Sequence, residues 1–123
     1  MSVPAAQWVT LATGVDETVR AVDPGARLII YGHVADGNLH VNVVPSAEAD
    51  GRHEDAVFAF VVSLGGSISA EHGIGALKAR WLPLIRSASE RALFARIRAA
   101  FDPAGILNPY VLPRDGGPGL EYS

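Results

Sequence analysis

Apolar residues recur at helical spacing from Gln7 to Val22, where Trp8, Leu11, Ala12, Val15 and Val19 share one side of the wheel. Glu17 and Arg20 lie elsewhere around it, and Asp23-Pro24-Gly25 then stops the pattern, so the spacing predicts an amphipathic helix. Arg27 to Tyr31 and Leu39 to Val44 are runs of the strand type on either side of Asp36-Gly37, a dipeptide favoured in two-residue hairpin turns. From Glu54 to Leu64, Val57, Phe58, Val61 and Val62 form a second helical stripe, with Gly65-Gly66 suited to its C-terminal cap. Ser67-Ile68-Ser69 has the pattern of a short strand, and Glu71-His72-Gly73-Ile74-Gly75 is too rich in glycine to be regular. Ala76 to Ile85 is expected to be helical but interrupted by Pro83. Ser87 and Glu90 are spaced as a capping box opening a helix on which Leu93, Ile97 and Phe101 share a face, and Asp102-Pro103 ends it. This order of elements predicts an α+β fold, an antiparallel sheet with helices packed on one face and the other face free for a partner.

At 123 residues and 49% hydrophobic content, the chain is expected to build one core rather than two. Prolines and glycines crowd the end of the sequence, so a domain over residues 1–114 and a flexible tail over 115–123 are expected. The net charge of -3 comes from 13 acids and 10 bases without long runs, which argues against nucleic acid or an anionic membrane as partner. With no cysteine there is no disulfide and no thiolate chemistry, so a metal would have to be held by nitrogen and oxygen. No apolar run approaches the ~20 residues of a membrane span and no signal-like segment opens the chain, from which a cytoplasmic location is expected.

If Asp36-Gly37 are the two central residues of the turn, His33 stands across from His40 with Cβ atoms ~5 Å apart. His40 and Asn42 then point to one face of the second strand, and Leu39, Val41 and Val43 point to the other. Two imidazoles so placed could share a divalent ion, and Glu71 would complete a three-ligand site open to a substrate. The same residues also read as a polar cross-strand pair and as ordinary turn chemistry, and spacing alone does not choose between these readings. The spacing also permits two histidines and a carboxylate to hold iron for oxygen chemistry, a reading that the full set of motifs disfavours. His53, between Arg52 and Glu54, is expected to be a solvated residue at a helix start.

Three segments together, Tyr31-Gly32-His33-Val34-Ala35-Asp36-Gly37-Asn38-Leu39-His40, Gly65 through Gly75, and Asp102-Pro103-Ala104-Gly105-Ile106-Leu107-Asn108-Pro109, resemble the C-terminal domain of the FAD-linked oxidases. That family includes D-lactate dehydrogenase, the glycolate oxidase FAD subunit and D-2-hydroxyglutarate dehydrogenase. The likeness runs from about Val3 to Pro113 and implies a ferredoxin-like fold that forms part of the family's substrate or cap domain. It implies that His33, His40 and Glu71 are ligands of a divalent metal, zinc or manganese, and that His72 is the catalytic base. It also implies that Asn42 lies near the substrate and that Asn108 lies near the flavin; Lys78 follows the glycine loop with no assigned role.

The implied activity is oxidation of a D-2-hydroxy acid, of the lactate, glycolate or 2-hydroxyglutarate type, to the 2-oxo acid with FAD as hydride acceptor. Family members are several times longer, and both their FAD-binding domain and the cations that bind substrate carboxylate precede the part matched here. The chain is therefore expected to be inactive without a flavin domain in the same or another chain, and to offer an apolar face to a second copy. A stand-alone module binding metal or small molecules is the alternative. Two departures from the family pattern are Ala35, where many members have glycine, and Tyr110-Val111, where Gly-Lys is usual.

Overall fold

The protein is represented by a computed structural model that describes residues 1–48, 50–108 and 110–111. The expected tail over 115–123 lies outside the described residues. Two compact units divide the chain, one over Met1–Glu71 and one from His72 onward. Among the described residues no helix is long and apolar enough to cross a membrane.

In the first unit, α1 (Trp8–Val22) and α2 (Arg52–Ser63) pack against each other, and β1 (Arg27–His33) pairs antiparallel with β2 (Asn38–Val44). The helical stripes are where periodicity puts them: Leu11, Val15 and Val19 of α1 and Val61 of α2 are fully buried, and Val57 and Phe58 of α2 nearly so. α2 ends in a Schellman motif, Gly65 N–H donating to Val62 O (2.9 Å) and Gly66 N–H to Val61 O (3.0 Å), as the paired glycines suggested.

Ser67 does not open a full strand. It forms a single antiparallel bridge with Ser2, and Ser2 in turn bridges Asn38. Mutual bonds Ser2 N to Ser67 O (2.8 Å) and Ser67 N to Ser2 O (2.7 Å), with Leu39 N to Met1 O (2.9 Å), hold this layer. Its order, Ser67, Ser2, β2, β1, combined with the chain order bridge, α1, β1, β2, α2, bridge, is a β-α-β-β-α-β plan with two strands shortened to single pairs. The expected α+β, ferredoxin-like arrangement is present in this reduced form.

The hairpin departs from expectation. A type I′ turn at Asp36-Gly37 needs positive φ at both residues, but only Gly37 has it (φ 63°). Val34–Asp36 instead make a turn of 3-10 helix, so the loop is longer and the register moves by two residues. Asn38 rather than His40 stands opposite His33, and Tyr31 stands opposite His40. A two-residue shift preserves side-chain parity, so His33, Tyr31 and Ile29 still share a face with Asn38, His40 and Asn42. The opposite face carries Leu39, which is buried, and the partly buried Leu28, Val41 and Val43.

His53 corrects a second expectation: it is 4% exposed, not solvated. Its Nε2 lies 3.2 Å from Oδ2 of the buried Asp23, which also accepts from Ser46 Oγ (2.5 Å), Ser46 N–H (2.8 Å) and Gly25 N–H (3.0 Å). The carboxylate thus ties the end of α1, the loop after β2 and the first turn of α2 together.

The second unit contains α3 (Leu82–Ile85), preceded by a 3-10 turn at Ala79–Trp81, and α4 (Ala88–Phe101). Pro83 shortens the first of the expected helices to these pieces, standing in the opening turn of α3 where its missing N–H costs nothing. The capping box is formed: Glu90 N–H donates to Ser87 Oγ (3.2 Å) and Ser87 N–H donates to Glu90 Oε2 (2.8 Å). Leu93, Ile97 and Phe101 do share a face, but that face is exposed, and Ala95 is the buried residue of α4.

Candidate functional site

The outer face of the hairpin brings together a small polar cluster within the first unit. His40 Nε2 lies 3.1 Å from Glu71 Oε1, and the same carboxylate oxygen accepts from Asn38 Nδ2 at 2.5 Å. Tyr31 stacks on the His40 ring, centroids 4.9 Å apart and planes 11° from parallel. Asn38 is buried, whereas the His40 and Glu71 side chains keep 29% and 48% of their exposure. The pair is therefore open to a small molecule while Asn38, which holds its carboxylate, is not.

Two ligands each ~2.0–2.1 Å from a tetrahedral ion stand about 3.3 Å apart, so the 3.1 Å between His40 Nε2 and Glu71 Oε1 fits one nitrogen–oxygen edge of a metal site. His33 shares the face but sits one diagonal away, opposite Asn38. Among the described residues no group of three or more His, Asp or Glu gathers closely enough to hold a metal. The structure brings together two of the three expected ligands and leaves the third apart, because the longer turn removed His33 from its place opposite His40.

Asn42 is exposed on the same face as His40 and pairs with Ile29. His72, the next residue after Glu71, is exposed in the glycine-rich loop and belongs to the second unit. Lys78 is partly buried in that unit, and burial pushes its ammonium pKa down.

Asn108, also in the second unit, has a left-handed backbone (φ 41°). Its loop is folded back on α4 by two side chains. Asp102 accepts from the N–H groups of Ile106 and Leu107, both at 2.9 Å, and Arg98 Nη2 donates to the carbonyls of Leu107 (2.5 Å) and Asn108 (3.0 Å). Beside it lies a groove of about 300 Å³ walled by Phe94, Ile97, Phe101, Leu107 and Val111. Such a wall can meet the edge of a flat ring system and offer it one amide. Among the described residues that line it the one cation, Arg98, is turned to the loop carbonyls rather than offered to a phosphate.

Two participants escaped the reading of the sequence. Asn38 had a legible signal, since period-two alternation puts it on the face of His40 in the same strand whatever the register, and Tyr31 shares that face in any register of the same parity. Their contacts with His40 and Glu71 depended on the turn and were not legible.

The family model described as "FAD linked oxidases, C-terminal domain" matches residues 1–112. A mitochondrial D-2-hydroxyglutarate dehydrogenase of Arabidopsis thaliana is 45% identical over 92 residues, 72% of this chain and 16% of that protein. The D-2-hydroxyglutarate dehydrogenase of Stutzerimonas stutzeri is 36% identical over 106 residues, 77% of this chain and 22% of its own length. An FAD-linked oxidoreductase of Mycobacterium tuberculosis, without an assigned substrate, is 32% identical over 124 residues, 85% of this chain and 27% of its length. The chain thus spans between 16% and 27% of the length of these relatives. A match over nearly all the described residues, carried on a reduced β-α-β-β-α-β layer, means that the chain belongs to the FAD-linked oxidase family and corresponds to its C-terminal domain.

Proposed function

We propose that this chain is the substrate-orienting part of an FAD-dependent dehydrogenase that oxidises a D-2-hydroxy acid, of the 2-hydroxyglutarate, lactate or glycolate type, to the 2-oxo acid. The observation that carries the reading is the convergence of His40 Nε2 and Glu71 Oε1 on an accessible sheet face in a member of this family. Two relatives named D-2-hydroxyglutarate dehydrogenase put that substrate first among the three.

In this reading His40 and Glu71, with His33 swung in from the same face, hold a divalent zinc or manganese ion. When bound, that ion supplies positive charge that lowers the pKa of the substrate hydroxyl, and FAD supplies the acceptor for the α-carbon hydride. His72 takes the hydroxyl proton, Asn42 binds the substrate's polar end, and Asn108 meets the flavin edge from its loop over α4. The chain's own contribution is orientation and proton removal; the flavin is held mainly by a separate domain, so the isolated chain does not turn over.

Metal analysis and a turnover assay test this together. The purified chain is expected to take up a single divalent ion, and His40→Ala to lose it. Metal content unchanged in His40→Ala rejects the ligand assignment. D-2-hydroxyglutarate oxidation, followed with a dye as electron acceptor, is expected only when a flavin-binding domain of the family is supplied. Metal uptake without any gain of turnover, or of flavin absorbance on mixing, favours the alternative of a stand-alone binding module.

A further inference from the structure

We propose that Asn38 is a positioning residue that fixes Glu71 on His40, and so sets the affinity of the site for a divalent ion; the second half of this statement rests on the ligand assignment made above. Glu71 lies outside regular structure at the end of the segment after Ser67, and its side chain is 48% exposed. A glutamate side chain turns about three torsions, and a hydrogen bond from a fixed donor narrows the orientations its carboxylate can take. Asn38 is 7% exposed and is held on both sides, paired with His33 on one and bridged to Ser2 on the other. Its Nδ2 donates to Glu71 Oε1, the oxygen that faces His40 Nε2.

The amide is committed to this one task. Asn38 Oδ1 is buried and has no hydrogen-bond partner. Burying an amide with half of its hydrogen-bonding capacity unmet is unfavourable, and leucine would fill the space without that cost. An asparagine in this position is therefore explained by what its donor does, which is to hold a carboxylate. The His40 ring has a comparable support in Tyr31, stacked on it from the neighbouring strand. Both members of the pair are thus oriented by side chains of the same sheet face, as outer partners orient metal-binding groups generally.

A double-mutant cycle on the full chain tests this, with Zn²⁺ alone titrated against a chromophoric chelator. Asn38→Leu is expected to weaken zinc binding by about 10–100-fold, and to cause no further loss in a Glu71→Ala background. An equal loss in both backgrounds, or none in the first, overturns the proposal. Should Asn38→Leu fail to fold, the side-chain amide protons of Asn38 in the wild-type chain and in Glu71→Ala decide the matter. They are expected to be shifted and slow to exchange only while Glu71 is present, and identical spectra refute the hydrogen bond. Absence of zinc binding by the wild-type chain rejects the ligand assignment alone, leaving the Asn38–Glu71 link to the amide signals.

Discussion

A carboxylate buried at 8% exposure, as Asp23 is, must find donors for its charge, and four groups from three parts of the chain supply them. The Ser46 hydroxyl and backbone N–H, followed by Gly25 N–H and His53, hold the Asp23 carboxyl well below the usual carboxylate range. Its folded-state pKa lies below the unfolded value of about 3.9, so the stabilisation is complete above roughly pH 4 and is lost as the pH falls toward the folded value. Asp23→Asn is expected to lower stability at neutral pH and to flatten its dependence on pH in the acid range. Urea unfolding at a series of pH values checks this, and an unchanged acid limb refutes it. His53 belongs to the same lesson. Flanked by Arg52 and Glu54 it has the sequence context of a solvated residue, and only the return of the chain after β2 to the end of α1 buries it.

The hairpin shows how two loop residues more or less decide which groups meet across a pair of strands. The alternation of polar and apolar residues from Leu39 to Val44 sorts the faces correctly, because parity survives a two-residue slip. It does not say which residues stand opposite one another. That choice lay with Val34–Asp36, which take a 3-10 turn instead of the two-residue type. Gly32, opposite Leu39, shows how tightly the observed register is held, since a Cβ there would meet the carbonyl oxygen of Asn38 well inside contact distance. That obstacle is backbone and cannot rotate away. Gly32→Ala is expected to cost about 1–3 kcal/mol of stability, as overpacking does, and to disturb Asn38 and with it the Glu71 contact. Thermal unfolding, together with the Asn38 amide signals, measures both effects.

Each of the two units carries large apolar side chains that the described residues leave exposed. In the second unit Phe101, Ile106, Leu107 and Tyr110 are exposed at 84%, 78%, 62% and 57%, with Leu93 and Ile97 about half exposed on the same helix as Phe101. On the first unit, Ile29 and Tyr31 keep 57% and 55% on the hairpin face that bears His40. Scattered apolar residues are ordinary, but in the second unit Ile97, Phe101 and Leu107 wall one groove, and an exposed apolar patch of that kind is suited to a partner. The purified chain is expected to self-associate with rising concentration, and Phe101→Ser to reduce that association. Light scattering that finds a strict monomer at all concentrations overturns this.

What the sequence determined by itself is what depends on near neighbours. Helical periodicity set α1, α2 and α4, glycine pairs and the Ser87–Glu90 box set helix ends, and alternation set the polar face carrying His40 and Asn42. These signals are local because each rests on hydrogen bonds and burial within a few turns of chain. The tertiary structure alone decided the register that separated His33 from His40, the burial of His53 on Asp23, the reduction of two strands to bridges at Ser2 and Ser67, and the meeting of Asn38 with Glu71. The register rests on the course of one short turn, and the other three join residues far apart in the chain through loops whose course no short pattern specifies, so only the folded backbone brings the groups within bonding distance.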